Sequence, residues 1–273
     1  MRPQPRALLV NAALLAAAVV SLGPLAWMVS VSFMAPGEAS SSPPPLLPRA
    51  ATLENYHQLF ARTGMGRGFA NSLFLATAAT LLALCFNVTA GYAFAKLRFA
   101  GRERIFRLLL GALIIPAQVA MIPLFLLLKQ LGLVNTYLGV LLPSVANVFG
   151  IFLVRQYALS IPDELLEAAR IDGAGEFRLF WSIVLPSLSP ILVTLAIFTF
   201  LGSWNDFLWP LIVLTDDDRH TLPVALASLT REHVQDSELM MAGGVITVLP
   251  VLVLFLVLQR YYIQGLLAGS IKG

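Results

Sequence analysis

The chain has 273 residues, 58% of them hydrophobic and only 12% charged, with a mean hydropathy of +0.81 and a formal net charge of +3. Soluble domains carry about half apolar and a quarter charged residues, so this composition excludes that class and indicates an integral membrane protein. The basic balance comes with no nucleic-acid-binding motif and is read as a consequence of membrane topology.

A bilayer core takes roughly 20 apolar residues per helical span. Runs of that kind lie at about 8–33, 72–94, 108–128, 137–154, 188–214 and 241–262. They are continuous rather than alternating, which excludes a closed outer-membrane barrel. The expectation is one all-α membrane domain over 1–273 with six transmembrane helices.

Arg2 and Arg6 precede the first run, as in a secretory signal, but the run is longer than a signal core and ends without a cleavage site, so it reads as a retained span. Residues 35–49 are rich in Pro, Gly and Ser, and Pro43-Pro44-Pro45 enforces an extended path. Residues 52–56 (Thr-Leu-Glu-Asn-Tyr) fit either a capped short helix outside the membrane or a simple linker. In the second run Asn87 and Thr89 form an Asn-Val-Thr pattern whose apolar setting makes a glycosylation match accidental. The basic loop 96–107 fixes topology. Pro116, Gln118 and Pro123 disturb the uniformity of the third run, and Ser144 and Asn147 that of the fourth; prolines there allow kinks, and the polar groups should face other helices or a wet path.

The most patterned polar stretch follows. Pro162, Asp163 and Glu164 read as a helix start, because Pro tolerates the first position and carboxylates favour the positive end of the helix dipole. A helix over 162–171 would turn Leu165, Leu166 and Ala169 inward and leave Glu164, Glu167 and Arg170 wet. Gly173 supplies the left-handed turn that ends it. A second short helix over 176–183 leads to Pro186. The product is a helix-turn-helix knob over 160–186, with small residues where another protein could approach closely.

In the fifth run Asp206, within Ser203-Trp204-Asn205-Asp206, is the one acid placed inside a span. Such a charge costs at least about 2.5 kcal/mol at the bilayer centre and usually faces a cavity or a partner. Two readings stand: Asn205, Asp206 and neighbouring aromatics line a solute pathway, or Asp206 bonds to another helix while Trp204 and Trp209 pack. The loop 215–239, with Asp216-Asp217-Asp218, His220, Arg231, His233 and Glu238, reads as a solvated charged loop or a docking surface. Placing the N-terminus inside puts two thirds of the Lys and Arg in the cytoplasm, so both termini and the knob are expected there.

The pattern Glu167-Ala168-Ala169, three residues, Gly173, nine residues, Ile183, one residue, Leu185-Pro186 matches the cytoplasmic-loop signature of ABC importer permeases at every spacing. Asn71-Ser72-Leu73, Gly91-Tyr92-Ala93-Phe94-Ala95, Trp204-Asn205-Asp206-Phe207 and the tail from Gln259-Arg260-Tyr261-Tyr262 to Lys272-Gly273 resemble the maltose-type carbohydrate permeases. The resemblance covers essentially the whole chain. It implies the type I importer permease fold, with a coupling helix between spans 4 and 5 seated on a separate ATPase subunit. Glu167, Ala168, Ala169, Asp172 and Gly173 take that coupling role; Trp204, Asn205, Asp206, Gln118 and Asn147 are the candidates for the translocation path.

The resemblance further implies two ATP-binding subunits, a second homologous permease, an extracytoplasmic solute-binding protein meeting the 215–239 loop, a tail against the ATPase pair, and a bacterial inner membrane as the setting. The chain lacks a phosphate loop, so ATP would be bound and hydrolysed by the partners and the chain needs no cofactor of its own. His57, His220 and His233 have no metal-ligand spacing, and Cys85 stands alone. No nucleophile has a recognisable base, and no enzyme is expected. The rival is an ion-coupled secondary transporter with Asp206 as its relay; a membrane scaffold without transport is the third reading.

Overall fold

The computed structural model describes residues 5–232 and 236–270, whose regular structure is all helical. In chain order these are α1 (Pro5–Ser32), α2 (Glu54–Arg62), α3 (Met65–Lys96), α4 (Arg102–Ala112), α5 (Ala117–Gln130), α6 (Tyr137–Leu141), α7 (Val148–Ala158), α8 (Asp163–Ile171), α9 (Glu176–Leu179), α10 (Leu185–Ser187), α11 (Ser189–Trp204), α12 (Leu208–Val213), α13 (Leu222–Glu232) and α14 (Ser237–Ser270). A π-helical turn, Phe180–Val184, joins α9 to α10.

Three helices among the described residues are long and apolar enough to cross a bilayer: α1, α3 and α14. Up to six spans result if each of three bent helix pairs counts as one. None of the residues in the most apolar window of α1 is buried by the protein, which suits a helix sheathed in lipid.

Three of the six expected runs are interrupted. The 108–128 run is split between α4 and α5, which meet at 101°. Pro116, extended at ψ 131°, breaks the helix and sets the start of α5. The 137–154 run is α6, a 3-10 turn over Leu142–Ser144, and α7, bent by 40°. There Asn147 restarts the helix, its Oδ1 accepting from the Phe149 N–H at 2.8 Å. The 188–214 run stops at Trp204 and resumes as α12; its long helix α11 instead joins the stretch 176–187 across a 75° bend. Apolar content continues through each break, so hydropathy alone does not register them.

The chain divides into two compact units. One gathers the chain as far as Phe69 with Leu222–Pro250; the other holds Ala70–Thr221 and the chain from Val251 on. In the first, α2 is tied to the end of α1 by Asn55, which is buried and donates from Nδ2 to the Ser32 and Met34 carbonyls at 3.0 and 2.8 Å. Ser32 and Tyr56 share a hydroxyl hydrogen bond of 2.7 Å. Of residues 52–56, Glu54, Asn55 and Tyr56 therefore do open a helix, tied to α1 by side-chain hydrogen bonds.

The 215–239 segment corrects the expectation of a charged loop. It contains α13, whose Leu222, Val224 and Leu229 are buried. Glu238, expected to be wet, is fully buried, and its Oε1 accepts from the Ala39 N–H at 2.7 Å. His233 lies outside the described residues, as do residues 271–273, and the side chains of Arg231 and of 260–270 are likewise not described.

In the second unit, α3 and α7 approach closely at Gly91. A Cβ there would sit 2.7 Å from Val154 Cβ and 3.1 Å from the Arg155 backbone nitrogen. Around this crossing lie Tyr92, Val154, Ala158, Leu166, Leu179 and Leu188, all buried in one cluster. That cluster carries the knob.

Candidate functional site

The knob begins at Pro162, which is extended (φ −60°, ψ 134°) and leads into α8, with Asp163 and Glu164 in the first turn. The helix ends at Asp172, and Gly173 takes φ +82°, the left-handed value anticipated for it. The Gly173 N–H bonds Arg170 O at 3.0 Å and the Ala174 N–H bonds Ala169 O at 2.9 Å, which satisfies the last carbonyls of α8. The second helix starts at Glu176 as expected, but continues past residue 183 through the π-turn.

Leu166 is the buried contact of α8 and Ala169 is half-buried, while Leu165, expected inside, is 46% exposed. One helical position moves a side chain about 100° around the axis, so the apolar face is narrower than the sequence suggests.

Two ion pairs fix the knob. Arg170 Nε donates to Glu176 Oε1 at 2.8 Å across the Gly173 turn, and Tyr92 OH reaches Glu176 Oε2 at 3.4 Å. Lys96, at the end of α3, donates from Nζ to Asp163 Oδ1 and Ile161 O, both at 2.6 Å. The Arg170 hydrogen bond holds the Glu176 carboxyl below its usual range, and the Lys96 hydrogen bond does the same for Asp163. The crown of the knob is open: Glu167, Ala168, Asp172 and Gly173 are exposed. Around them stand Ile171, Phe177 and Trp181, 86%, 78% and 52% exposed. Exposed apolar groups rimmed by polar ones are the kind of surface that meets another protein, a ligand or a membrane.

A second feature lies in the same unit. A cavity of about 730 Å³ opens between α5, α7, α11 and α12, at the three helix breaks. Gln118, Ser144, Asn147, Asn205 and Asp206 line it, with Phe149, Phe198 and Trp209 as aromatic walls. Four of the five expected path residues are thus brought together from three stretches of the chain. Trp204 is the exception: it is fully buried, stacks on Phe200 with ring centroids 5.9 Å apart, and does not line the cavity. Asp206 bonds locally, its Oδ1 accepting from the Trp209 N–H at 3.4 Å at the start of α12.

Sequence reasoning missed Phe149 and Phe198 as cavity walls and named Trp209 only as a packing residue. Phe149 and Trp209 each stand within a few residues of a helix break, which was the usable signal; Phe198, midway along α11, offered none. Sequence reasoning weighed Asn87 only as an accidental glycosylation match; the residue is fully buried in α3 with neither side-chain polar atom hydrogen-bonded. Asn87 packs directly behind the cavity wall: a Cβ on Gly150 would lie 2.6 Å from its Nδ2, and Gly150 itself lines the cavity.

Asn71, from one of the family-like motifs, organises the opposite end of the unit. Its Nδ2 donates to the Asp218 and His220 carbonyls at 3.0 and 2.9 Å, and Tyr137 OH bonds its Oδ1 at 2.8 Å. Asn135 adds a clamp, donating to Asp216 Oδ2 at 2.6 Å and accepting from the Thr215 and Asp216 N–H groups. The acidic turn 216–219 is therefore held in place by amides.

The profile of one family, described as the binding-protein-dependent transport system inner membrane component, matches residues 87–267. The chain is 40% identical over 259 residues to the arabinooligosaccharides transport system permease protein AraQ of Halalkalibacterium halodurans, covering 94% of this chain and 93% of the relative. It is 34% identical over 261 residues to the lactose transport system permease protein LacG of Rhizobium radiobacter, with coverage of 94% and 93%. Among solved structures, a bacterial ABC transporter involved in import of the acidic polysaccharide alginate superposes with a TM-score of 0.85 at 26% identity, covering 96% of this chain and 98% of the other. On this match the chain belongs to the binding-protein-dependent transport system inner membrane component family.

Proposed function

We propose that this chain is a permease subunit of an ATP-driven, binding-protein-dependent importer of a sugar or related polyhydroxylated solute, and that the 167–186 loop couples ATPase movement to alternating access. The observation that carries the reading is the knob, a rigid base under an open crown. Leu166, Leu179 and Val184 are buried beneath it, and Lys96–Asp163 and Arg170–Glu176 tie its two helices down. A push on Glu167, Ala168, Ala169, Asp172 or Gly173 is then passed to α3, α7 and α11 as a rigid-body movement rather than absorbed by the loop.

The cavity supports the solute class. Amides, hydroxyls and aromatic rings in one concavity are the groups that hydrogen-bond and stack on polyhydroxylated rings, and the relatives named above are permeases for arabinooligosaccharides and lactose. Gln118, Asn147, Asn205 and Asp206 are the path residues in this reading, with Trp209 in the place first given to Trp204. The chain is the non-catalytic membrane part; two ATP-binding subunits, a second permease and an external solute-binding protein complete the importer. Its setting is a bacterial inner membrane, with both termini and the knob on the cytoplasmic side.

The test is Gly173→Asp, which forces a side chain onto a left-handed backbone position and adds charge to the crown. The variant should insert normally yet lose uptake, and should release the ATP-binding subunits that purify with the native chain in mild detergent. Normal uptake at normal expression would overturn the coupling role.

A further inference from the structure

A second pocket, of about 640 Å³, lies where α3 ends and α4 begins. Arg98, Arg102, Arg104 and Arg107 wall it together with Phe99 and Glu103. Four guanidinium groups thus face one carboxylate, and that carboxylate is occupied: Glu103 Oε1 is 3.3 Å from both Arg155 Nη2 and Arg102 Nη2. Among the described residues, Arg98, Arg104 and Arg107 have no carboxylate within ion-pair distance. Arg107 Nε donates only to the Glu103 carbonyl, at 3.3 Å.

The surroundings bear on what kind of anion such a pocket would take. The helix α3 is a membrane span that ends at Lys96, so the pocket sits at the edge of the bilayer. Gly101, at φ +81°, turns the chain back into α4. One face of α4 then carries Ile105 and Leu108, 45% and 72% exposed and three residues apart, running from the arginines into apolar sequence. Phe99 adds a further exposed ring, 42% accessible. A basic ring continuous with an exposed apolar strip complements a phosphate that carries acyl chains.

We propose that this pocket binds the phosphate of an anionic phospholipid headgroup, with the acyl chains laid along Ile105 and Leu108. Arginine suits the task because its planar fork holds phosphate oxygens two at a time. The general preference for basic residues on one side of a membrane accounts for the charges but not for their gathering around a concavity. The site is independent of the solute path and of which solute is carried. A lipid held there would brace the α3–α4 turn, from which Lys96 reaches the knob.

The full chain, purified with the subunits that accompany it, is stripped of lipid in detergent and titrated with phosphatidylglycerol, phosphatidylcholine or inorganic phosphate. Retained lipid is read by native mass spectrometry and the unfolding temperature is recorded alongside. Phosphatidylglycerol should be retained and raise the unfolding temperature; phosphatidylcholine and inorganic phosphate at equal concentration should do neither. In Arg98→Gln/Arg104→Gln the affinity for phosphatidylglycerol should fall about thirtyfold, on the basis of about 1 kcal/mol for each basic residue near an anionic surface. Arg49→Gln, outside the pocket, should leave it unchanged. An unfolding temperature of the double variant in phosphatidylcholine equal to that of the native chain shows the fold intact. Equal retention of the two lipids, a phosphate effect matching that of phosphatidylglycerol, or undiminished preference in the double variant would each overturn the proposal.

Discussion

Arg170 and Glu176 close the knob. The guanidinium in the last turn of α8 meets the carboxylate in the first turn of the next helix at 2.8 Å, spanning the Gly173 turn, and Tyr92 of α3 touches the same carboxylate. A turn made of Gly173, Ala174 and Gly175 has little side-chain packing of its own, so this pair restricts how the two helices open.

The pair sets a pH dependence. Arg170 lowers the Glu176 pKa below the ordinary glutamate value of about 4.3. A depressed carboxyl contributes stability above its unfolded pKa and loses it as pH falls through the folded one. Both partners are about half exposed, which limits the pair to under about 1 kcal/mol. Glu176→Gln should therefore unfold roughly 2 °C below the native chain at pH 7. The two melting curves should converge as pH drops below about 4. A gap that persists at low pH would show that the carboxylate is not the group responsible.

Gly91 and Gly111 are both helical glycines, and they should respond in opposite ways to alanine. At Gly91 a Cβ would meet Val154 at 2.7 Å and backbone at 3.1 Å; at Gly111 it would meet nothing within 4 Å. Gly91→Ala overpacks the α3–α7 crossing and should cost about 1–3 kcal/mol. Gly111→Ala gains helix propensity and should stabilise by up to about 1 kcal/mol. Thermal unfolding of the two variants beside the native chain decides it; a neutral Gly91→Ala would mean that the crossing has slack.

Asp206 separates the two transport mechanisms. Its carboxylate bonds the Trp209 N–H, a role an asparagine oxygen fills as well. Asp206→Asn should keep uptake within about twofold of native, whereas Asp206→Ala loses the bond and about 1 kcal/mol of local stability. Abolished uptake in Asp206→Asn, with assembly intact, would favour a proton or ion relay at this position.

The knob was legible in the sequence because its determinants are local. Pro162, the acids after it, Gly173 and the acid at 176 each act within a few residues, and they fix the ends of α8 to within one position. The breaks at 113–116 and 205–207 were not, because apolar sequence runs on through both and only Pro116 and Asn205-Asp206 betray them. Burial was harder still. Glu238 is buried by a segment 199 residues away, at Ala39, and Trp204 is sealed by packing that its neighbours in sequence do not reveal. Gathering Gln118, Asn147, Asn205 and Asp206 into one cavity was anticipated only as a shared preference for a wet path; the helix breaks supply the geometry.

Asn87 offers the sharpest comparison of stability with transport. Two buried polar atoms without partners cost about 1–3 kcal/mol each, and leucine repeats the amide's branched shape without them, at the cost of bulkier methyl ends. Asn87→Leu should therefore raise the unfolding temperature. The amide also lies directly behind Gly150, which lines the cavity together with Leu195, so a modest parting of α7 from α11 would present it to a solute hydroxyl. If the amide finds its partner in that opened state, the leucine variant loses uptake while gaining stability, with the largest loss in the step that follows ATP binding. Stability and uptake measured on the same membranes distinguish the cases. A more stable variant with native uptake would leave the amide without a role in transport. A less stable one would show that the bulkier leucine overpacks the contact with Gly150 or displaces a water that the amide holds.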